Sequence, residues 1–475
     1  MSYPVRLMKS RKSFCLNLAV LTLVCNPFSR AFAEVNLTLG GTYNGTISLS
    51  GQHDAFTFTG TAGQRLYYDA LDADNDSIYV QLINPIGGIV FINGNSDSDV
   101  GPFTLVQSGT YYLAIISQLP EDTADYNFRL MDVAQAPARA LTLDTTVNGT
   151  NAPTTSAAIY RFTGTNGQRL FFDFAATNIG IAYVSLYDPQ NQQLYGYYYL
   201  YSDFEQKLTA DGTYVLTVGN YTDASATNFS FRVVTPNTTT NALTLGATVT
   251  GTLDEPGEED RYTFTGTTGQ RLYYDALDYD FDAVNVQLIS PSGAIPFVNG
   301  NSDSDVGLFT LTETGTYTLL QKGSGDYTND YSFRLLDLAA GAVITNGVAV
   351  TNQLNPQTST RLYRINGTAG QRIGITNLAA SSGNASWSLV RPDNAAMLTD
   401  NIQNSLGEVT LPATGTYALL VVGGQNFIGG LDYQFRVSLV SSASGGTSGF
   451  ATVHGGDTIF DQTNSFSYTA PAGLP

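Results

Sequence analysis

The sequence predicts an all-β protein, a tandem array of jelly-roll-like antiparallel β-sandwich domains. Three observations carry this. One set of three anchor motifs returns four times in a fixed order. Short alternating segments, broken by Gly and Pro, fill the space between anchors, and no helical period of ten residues or more occurs.

The chain opens on a leader. Arg6, Lys9, Arg11 and Lys12 precede an apolar run from Phe14 to Val24, and Ala31-Phe32-Ala33 fits a small-x-small cleavage site. Residues 1–33 therefore read as a secretory signal peptide. No later segment has the ~18 consecutive apolar residues of a transmembrane helix. The leader holds five of the 21 basic residues and none of the 40 acidic ones, so the remainder carries a formal charge of −24. That field argues against a nucleic-acid partner, which needs basic patches, and suits cations or solubility outside the cell. Both cysteines, Cys15 and Cys25, lie in the leader, so the exported part is held without disulfides.

The first anchor is Gly-Gln-Arg, at Gly63, Gly167, Gly269 and Gly370. The second is Gly-Thr-Tyr, at Gly109, Gly212, Gly315 and Gly415. The third closes each unit, as in Tyr126-Asn127-Phe128-Arg129 and Tyr331-Ser332-Phe333-Arg334. Joints rich in Ala, Thr, Pro and Gly place the units at residues 34–135, 138–237, 240–339 and 342–440. Ser441 to Gly449 reads as a flexible linker, and residues 450–475 resemble the start of an incomplete fifth unit. The chain given is thus expected to be truncated or to end on an unfolded segment.

Within a unit, Ala55 to Thr59 alternates, turns through Gly60 to Gly63 and resumes at Arg65, which reads as a hairpin. Tyr79 to Ile83 is a strand ended by Asn84-Pro85, and Gly109 starts another. About seven or eight strands in ~100 residues is a sandwich signature. The Tyr of Gly-Thr-Tyr is expected to bury its ring and cap the preceding loop. The Arg of Gly-Gln-Arg reads as a strand-edge or ion-pair residue.

These residues resemble a known family. Asp54-Ala55-Phe56-Thr57-Phe58, the Gly63 turn, Tyr79 to Leu82 with Asn84-Pro85-Ile86-Gly87, and Gly109-Thr110-Tyr111 are similar to the bacterial pre-peptidase C-terminal domain. The third unit matches best, with Glu259 to Phe264, Ser290-Pro291-Ser292-Gly293 and Gly315-Thr316-Tyr317. The resemblance spans about residues 35–440. It implies a secreted, non-catalytic sandwich, and relatives in collagenases make calcium a further expectation. No peptidase domain precedes the units here, so a free-standing repeat protein is expected over a protease appendage.

Nothing assembles into an enzyme. Outside the leader there are two histidines, His53 and His454, and no cysteine nucleophile. The residues of interest are acidic loops. NGNSDSDVG occurs at residues 93–101 and again at 299–307. In unit one it brings Asp97 and Asp99, with Asp69, Asp72, Asp74 and Asp76 upstream. In unit three the set is Asp303 and Asp305 with Asp275, Asp278, Asp280 and Asp282. Calcium takes about six to eight oxygen ligands, which two converging acidic loops would supply. The bland alternative is a solvated loop, since Asp and Asn favour turns. Aligned on Gly-Thr-Tyr, units two and four do not keep these acids, so the array reads as a duplicated two-unit block. Unit two instead places the tyrosine run 197–201 there, read as strand packing or as rings for stacking on sugars.

The sequence thus points to a secreted or cell-surface, non-catalytic spacer or binding module for an extracellular protein or polysaccharide, with calcium in units one and three. The alternatives are an accessory region of a larger secreted hydrolase and a glycan-binding adhesin.

Overall fold

The computed structural model describes residues 34–48, 52–72, 74, 78–117, 124–153, 155–175, 182–197, 202–220, 228–279, 283–424 and 429–440. The leader, the linker and the fifth unit lie outside them, as do Asp76, Asp280, Asp282 and most of the tyrosine run. The described chain is all-β apart from a single 3-10 turn at Leu338–Ala340.

Unit one sets the pattern. Its strands are β1 (Val35–Asn36), β2 (Thr42–Ile47), β3 (His53–Gly60), β4 (Arg65–Ala70), β5 (Ile78–Ile83), β6 (Ile89–Asn93), β7 (Val100–Thr104), β8 (Gly109–Ser117) and β9 (Ala124–Asp132). They form a five-stranded sheet, β1-β3-β8-β5-β6, and a four-stranded sheet, β2-β9-β4-β7. The chain changes sheet at most turns, which is the jelly-roll-like arrangement, and the same two sheets recur in the other three units.

Two expectations are corrected. The Gly60 to Gly63 turn does not make a hairpin, because β3 pairs with β8 while β4 pairs with β7 and β9. It is an arch between sheets. Alternation and a Gly turn look the same in both cases, and only the distant partners decide. Each unit also has nine described strands, because a parallel strand precedes the others, two residues long in units one, two and four and five residues (Thr238–Ala242) in unit three. A two-residue pair leaves no period to read.

Alternation fills the core. Along β5, Ile78, Val80 and Leu82 are buried while Tyr79, Gln81 and Ile83 face outward. Each unit has its own apolar core, and each fully buried Val, Leu or Phe contributes about 1.5–3 kcal/mol. The corner tyrosines behave as expected. Tyr111, Tyr214, Tyr317 and Tyr417 are fully buried and donate to the carbonyl four residues earlier, at 2.8, 2.9, 3.0 and 2.7 Å. Gly60 ends β3 against this ring: a Cβ there would lie 3.0 Å from Tyr111 and 2.4 Å from Leu105. The site needs glycine.

Candidate functional site

The acidic residues gather where one unit meets the next. Asp69, one residue before the end of β4, faces outward from the four-stranded sheet opposite Arg129 of β9, and the two form an ion pair. Its other oxygen accepts the Ala157 N–H of unit two at 2.7 Å. Asp99 precedes β7. One of its oxygens accepts the Ala70 N–H at 2.9 Å, and the other accepts hydroxyls from Tyr67 at 2.8 Å and from Tyr183 of unit two at 2.6 Å.

Unit three repeats the design against unit four. Asp275 pairs with Arg334 and accepts the Thr360 N–H at 2.8 Å. Asp305 accepts from Ala276 N–H at 2.8 Å, Tyr273 hydroxyl at 2.8 Å and Thr360 hydroxyl at 3.2 Å. Burial raises all four carboxyls. For Asp69 the second cause is the nearby charge of Asp99, and its pKa reaches about 8. Asp275 is pushed up to about 7 and Asp305 to about 6, with Arg334 opposing the rise at both. Asp99 rises for the same reason, opposed by its hydrogen bonds to Tyr183, Ala70 and Tyr67.

The anchor arginines extend these junctions. Arg65 donates to the Asp188 carbonyl, the Thr213 carbonyl and Asn191 Oδ1 of unit two, at 3.0, 2.7 and 2.9 Å. Arg271 does the same to Arg391, Thr416 and Asn394 of unit four, at 2.8, 2.9 and 2.7 Å. Asn191 and Asn394 sit in the left-handed region, at φ 66 and 68, where units one and three use Gly87 and Gly293. Asn tolerates that conformation at modest cost, and its amide also donates to Thr104 or Thr310 at 2.8 Å. Arg161 reaches the Val133 and Ala138 carbonyls, and Arg364 the Gly341 carbonyl. Tyr67, Met131 and Val133 bury against Ile159 and Val215, and Tyr273 and Leu336 against Leu362 and Ala418.

The junction between units two and three is built differently. Asp173 and Asp203 hold the places of Asp69 and Asp99, since Asp203 accepts the Phe174 N–H at 2.8 Å as Asp99 accepts that of Ala70. This corrects the reading that even units lack the acids: unit two keeps both, with Asp203 one residue off the alignment on Gly-Thr-Tyr. The matching position to Ala157 and Thr360 is Glu259, counting back from Gly164, Gly367 and Gly266, and its N–H goes to the Asn237 carbonyl at 3.1 Å, not to Asp173. Unit three is instead held by charge. Arg169 contacts Glu205 at 2.7 Å and Glu259 at 2.9 Å, and Lys322 pairs with both glutamates. Arg232 lies 3.5 Å from Asp173 and 3.1 Å from Glu255. Asp326 of unit three joins Asp173 and Asp203 with oxygens within 4.8 Å, the one such three-acid group among the described residues. Burial raises Asp203 to about 6, with Asp326 and Asp173 adding to the rise.

In unit four the same two places hold Thr376 and Ser405, and Ser405 Oγ accepts the Asn377 N–H at 3.1 Å. Among the described residues, the acid pair marks the units that dock onto a following one.

The nonapeptide is thereby resolved residue by residue. Asn95 Oδ1 takes the Asp97 N–H at 2.8 Å and Asn93 reaches the Ser98 carbonyl at 3.0 Å, which closes the loop. The Ser96 carbonyl takes the buried Tyr68 hydroxyl at 2.9 Å, and Asp99 joins the next unit. Residues 299–307 repeat the set, with Asn301 to Asp303 at 2.7 Å and Tyr274 to Ser302 at 2.9 Å. As calcium ligands, Asp69, Asp99, Asp275 and Asp305 fit poorly, since N–H, O–H and guanidinium donors occupy both oxygens of each. Asp97 and Asp303 lie in the loop itself, and Asp72, Asp74 and Asp278 in the segments that follow Ala70 and Ala276.

No family model matches the chain, and no relative is found among curated proteins. Among solved structures it is similar to PliG of Aeromonas hydrophila, a periplasmic inhibitor of g-type lysozyme, at 14% identity and a TM-score of 0.19, over 22% of this chain and 98% of that one. The CUB1-EGF-CUB2 region of human MASP-1/3 matches at 11% identity and a TM-score of 0.15, over 40% of this chain and 98% of that one. A triple jelly-roll protein of an archaeal virus turret matches at 15% identity and 0.14, over 63% and 82%. Likenesses at this level carry no functional argument. No described helix is long and apolar enough to cross a membrane.

Proposed function

We propose that this chain is a secreted or cell-surface, non-catalytic spacer and binding module of pre-peptidase C-terminal type. One observation carries the reading: units one and two, and units three and four, are joined by the same set of contacts, from the carboxylates to the arginine forks. Side chains repeated in this way fix the angle between domains, which a spacer requires and an isolated binding site does not. The two blocks meet mainly through ion pairs, with Arg169 also donating to the Gly257 carbonyl at 2.8 Å and the Thr238 hydroxyl at 2.9 Å, so the array is two stiff rods with a softer middle. Calcium belongs to the proposal at the loops of Asp97 and Asp303, whose oxygen chemistry suits a hard cation.

Expression of the whole chain in a bacterial secretion host tests the reading. The expected product lies outside the cytoplasm, begins at Glu34, and scatters X-rays as an elongated particle. A cytoplasmic product with an intact leader, or a collapsed globular particle, overturns it.

A further inference from the structure

In units two and four the outer face of the five-stranded sheet lies under the preceding unit. In unit one the same face is open among the described residues, yet it is built of the same material. Register puts Ile83 and Tyr112 of unit one where unit two has Tyr187 and Val215 and unit four has Val390 and Ala418. Those residues belong to the apolar junctions. Ile89, Ile92, Ala114 and Ile116 extend the patch along neighbouring strands. Ile92, Ile89 and Tyr112 are 60%, 59% and 43% exposed, and an apolar surface of several side chains in one face marks a contact site.

Charge narrows the occupant. The outward positions of β3, β5, β6 and β8 hold no Asp, Glu, Lys or Arg, in a chain of formal charge −19. The near-copy in unit three has Arg261 and Lys322 where unit one has Ala55 and Ile116. Two acidic molecules repel wherever their charged faces meet, so a neutral apolar face is where two copies can approach. The far end of the described array offers no match. Unit four has Gly374 and Ser438 where Tyr67 and Met131 press into unit two.

We propose that unit one docks face to face on unit one of a second copy, around a twofold axis. Such an interface is self-complementary, each patch meeting its own copy, and closes at two subunits.

Light scattering of the whole exported chain across a concentration series tests this. The expected mass is twice that of one chain at micromolar concentration, and Ile92→Lys and Tyr112→Asp each weaken association by about tenfold or more. Both positions are exposed, and an unchanged thermal midpoint confirms folding. Val298→Lys, at the matching place in unit three, leaves the dimer intact. A monomer at all concentrations, a dimer indifferent to the unit-one variants, a dimer lost equally with Val298→Lys, or assemblies growing beyond two would each overturn the proposal.

Discussion

Tyr183 of unit two donates its hydroxyl to Asp99 of unit one at 2.6 Å, on the same oxygen that takes Tyr67. The matching hydroxyl at the second apolar junction comes from Thr360, which gives both its N–H to Asp275 and its O–H to Asp305. Unit two has Ala157 at that place, able to give the N–H alone. The tyrosine supplies what the alanine lacks.

That exchange predicts a rescue. Tyr183→Phe removes a hydrogen bond to a charged group, worth about 1.5–3 kcal/mol, and lowers the midpoint of the unit one–two transition in urea. Adding Ala157→Thr restores at least half of the loss. No recovery in the double variant would separate the two junction designs.

A second prediction divides docking from calcium. Trp387 is the sole tryptophan and lies 1% exposed in the core of unit four, so its emission reports that unit. Asp305→Asn leaves a buried hydroxyl and N–H partly unpaired, which costs about 2–4 kcal/mol. The Trp387 midpoint falls by the same amount in calcium and in chelator, because the carboxylate serves unit four directly. Asp303→Asn lowers it only in calcium. A calcium-dependent Asp305 effect would reassign that residue to the metal.

Acidity supplies a third. Burial raises Asp275 to about 7 and Asp305 to about 6, so the folded junction holds protons that a solvated aspartate, near about 3.9, releases. The stabilisation is full below about pH 4 and is lost as pH rises to about 7, at no more than about 1.4 kcal/mol per pH unit for each proton. Relative to Asp275→Asn, the wild-type Trp387 midpoint therefore declines across this window. Parallel curves for the two proteins would remove the linkage.

Much of this was legible before any coordinates. The four units and the corner tyrosines follow from anchors that recur near every hundred residues, because a repeated core needs the same buried residues each time. The acids were visible, but their purpose was not. Asp99 and Tyr183 are 84 residues apart and belong to different units, and no local period links them. One signal was available: Gly87 and Gly293 in odd units against Asn191 and Asn394 in even ones. A turn that needs positive φ takes Gly by default, so an Asn kept in its place asks what its side chain holds. Unit two's acid pair was missed for a simpler reason. The segment from Asp203 to Gly212 is one residue shorter than that from Asp99 to Gly109, so alignment from this single downstream anchor put Ser202 in the place of Asp99.

The middle junction gives the last prediction. Arg169, Lys322, Glu205, Glu259, Arg232 and Glu255 form its ion pairs, and most of these side chains are partly exposed. Exposed pairs contribute only about 0.2–1 kcal/mol each, and salt screens them over about 3 Å at 1 M. The outer junctions rest on buried acids and apolar contact, which salt does not weaken. Because both cysteines lie in the leader, spin labels can be placed on introduced cysteines without background. Thr165 and Thr267 occupy matching exposed turns of units two and three, and Ala62 is the neighbour turn of unit one. Between 0.05 and about 1 M salt, the distance distribution from Thr165→Cys to Thr267→Cys is expected to broaden, while that from Ala62→Cys to Thr165→Cys stays narrow. Equal broadening at both would make the array uniformly flexible, and no broadening at either would make it one rigid rod. Only the asymmetric result fits a chain whose three joints are made by two chemistries.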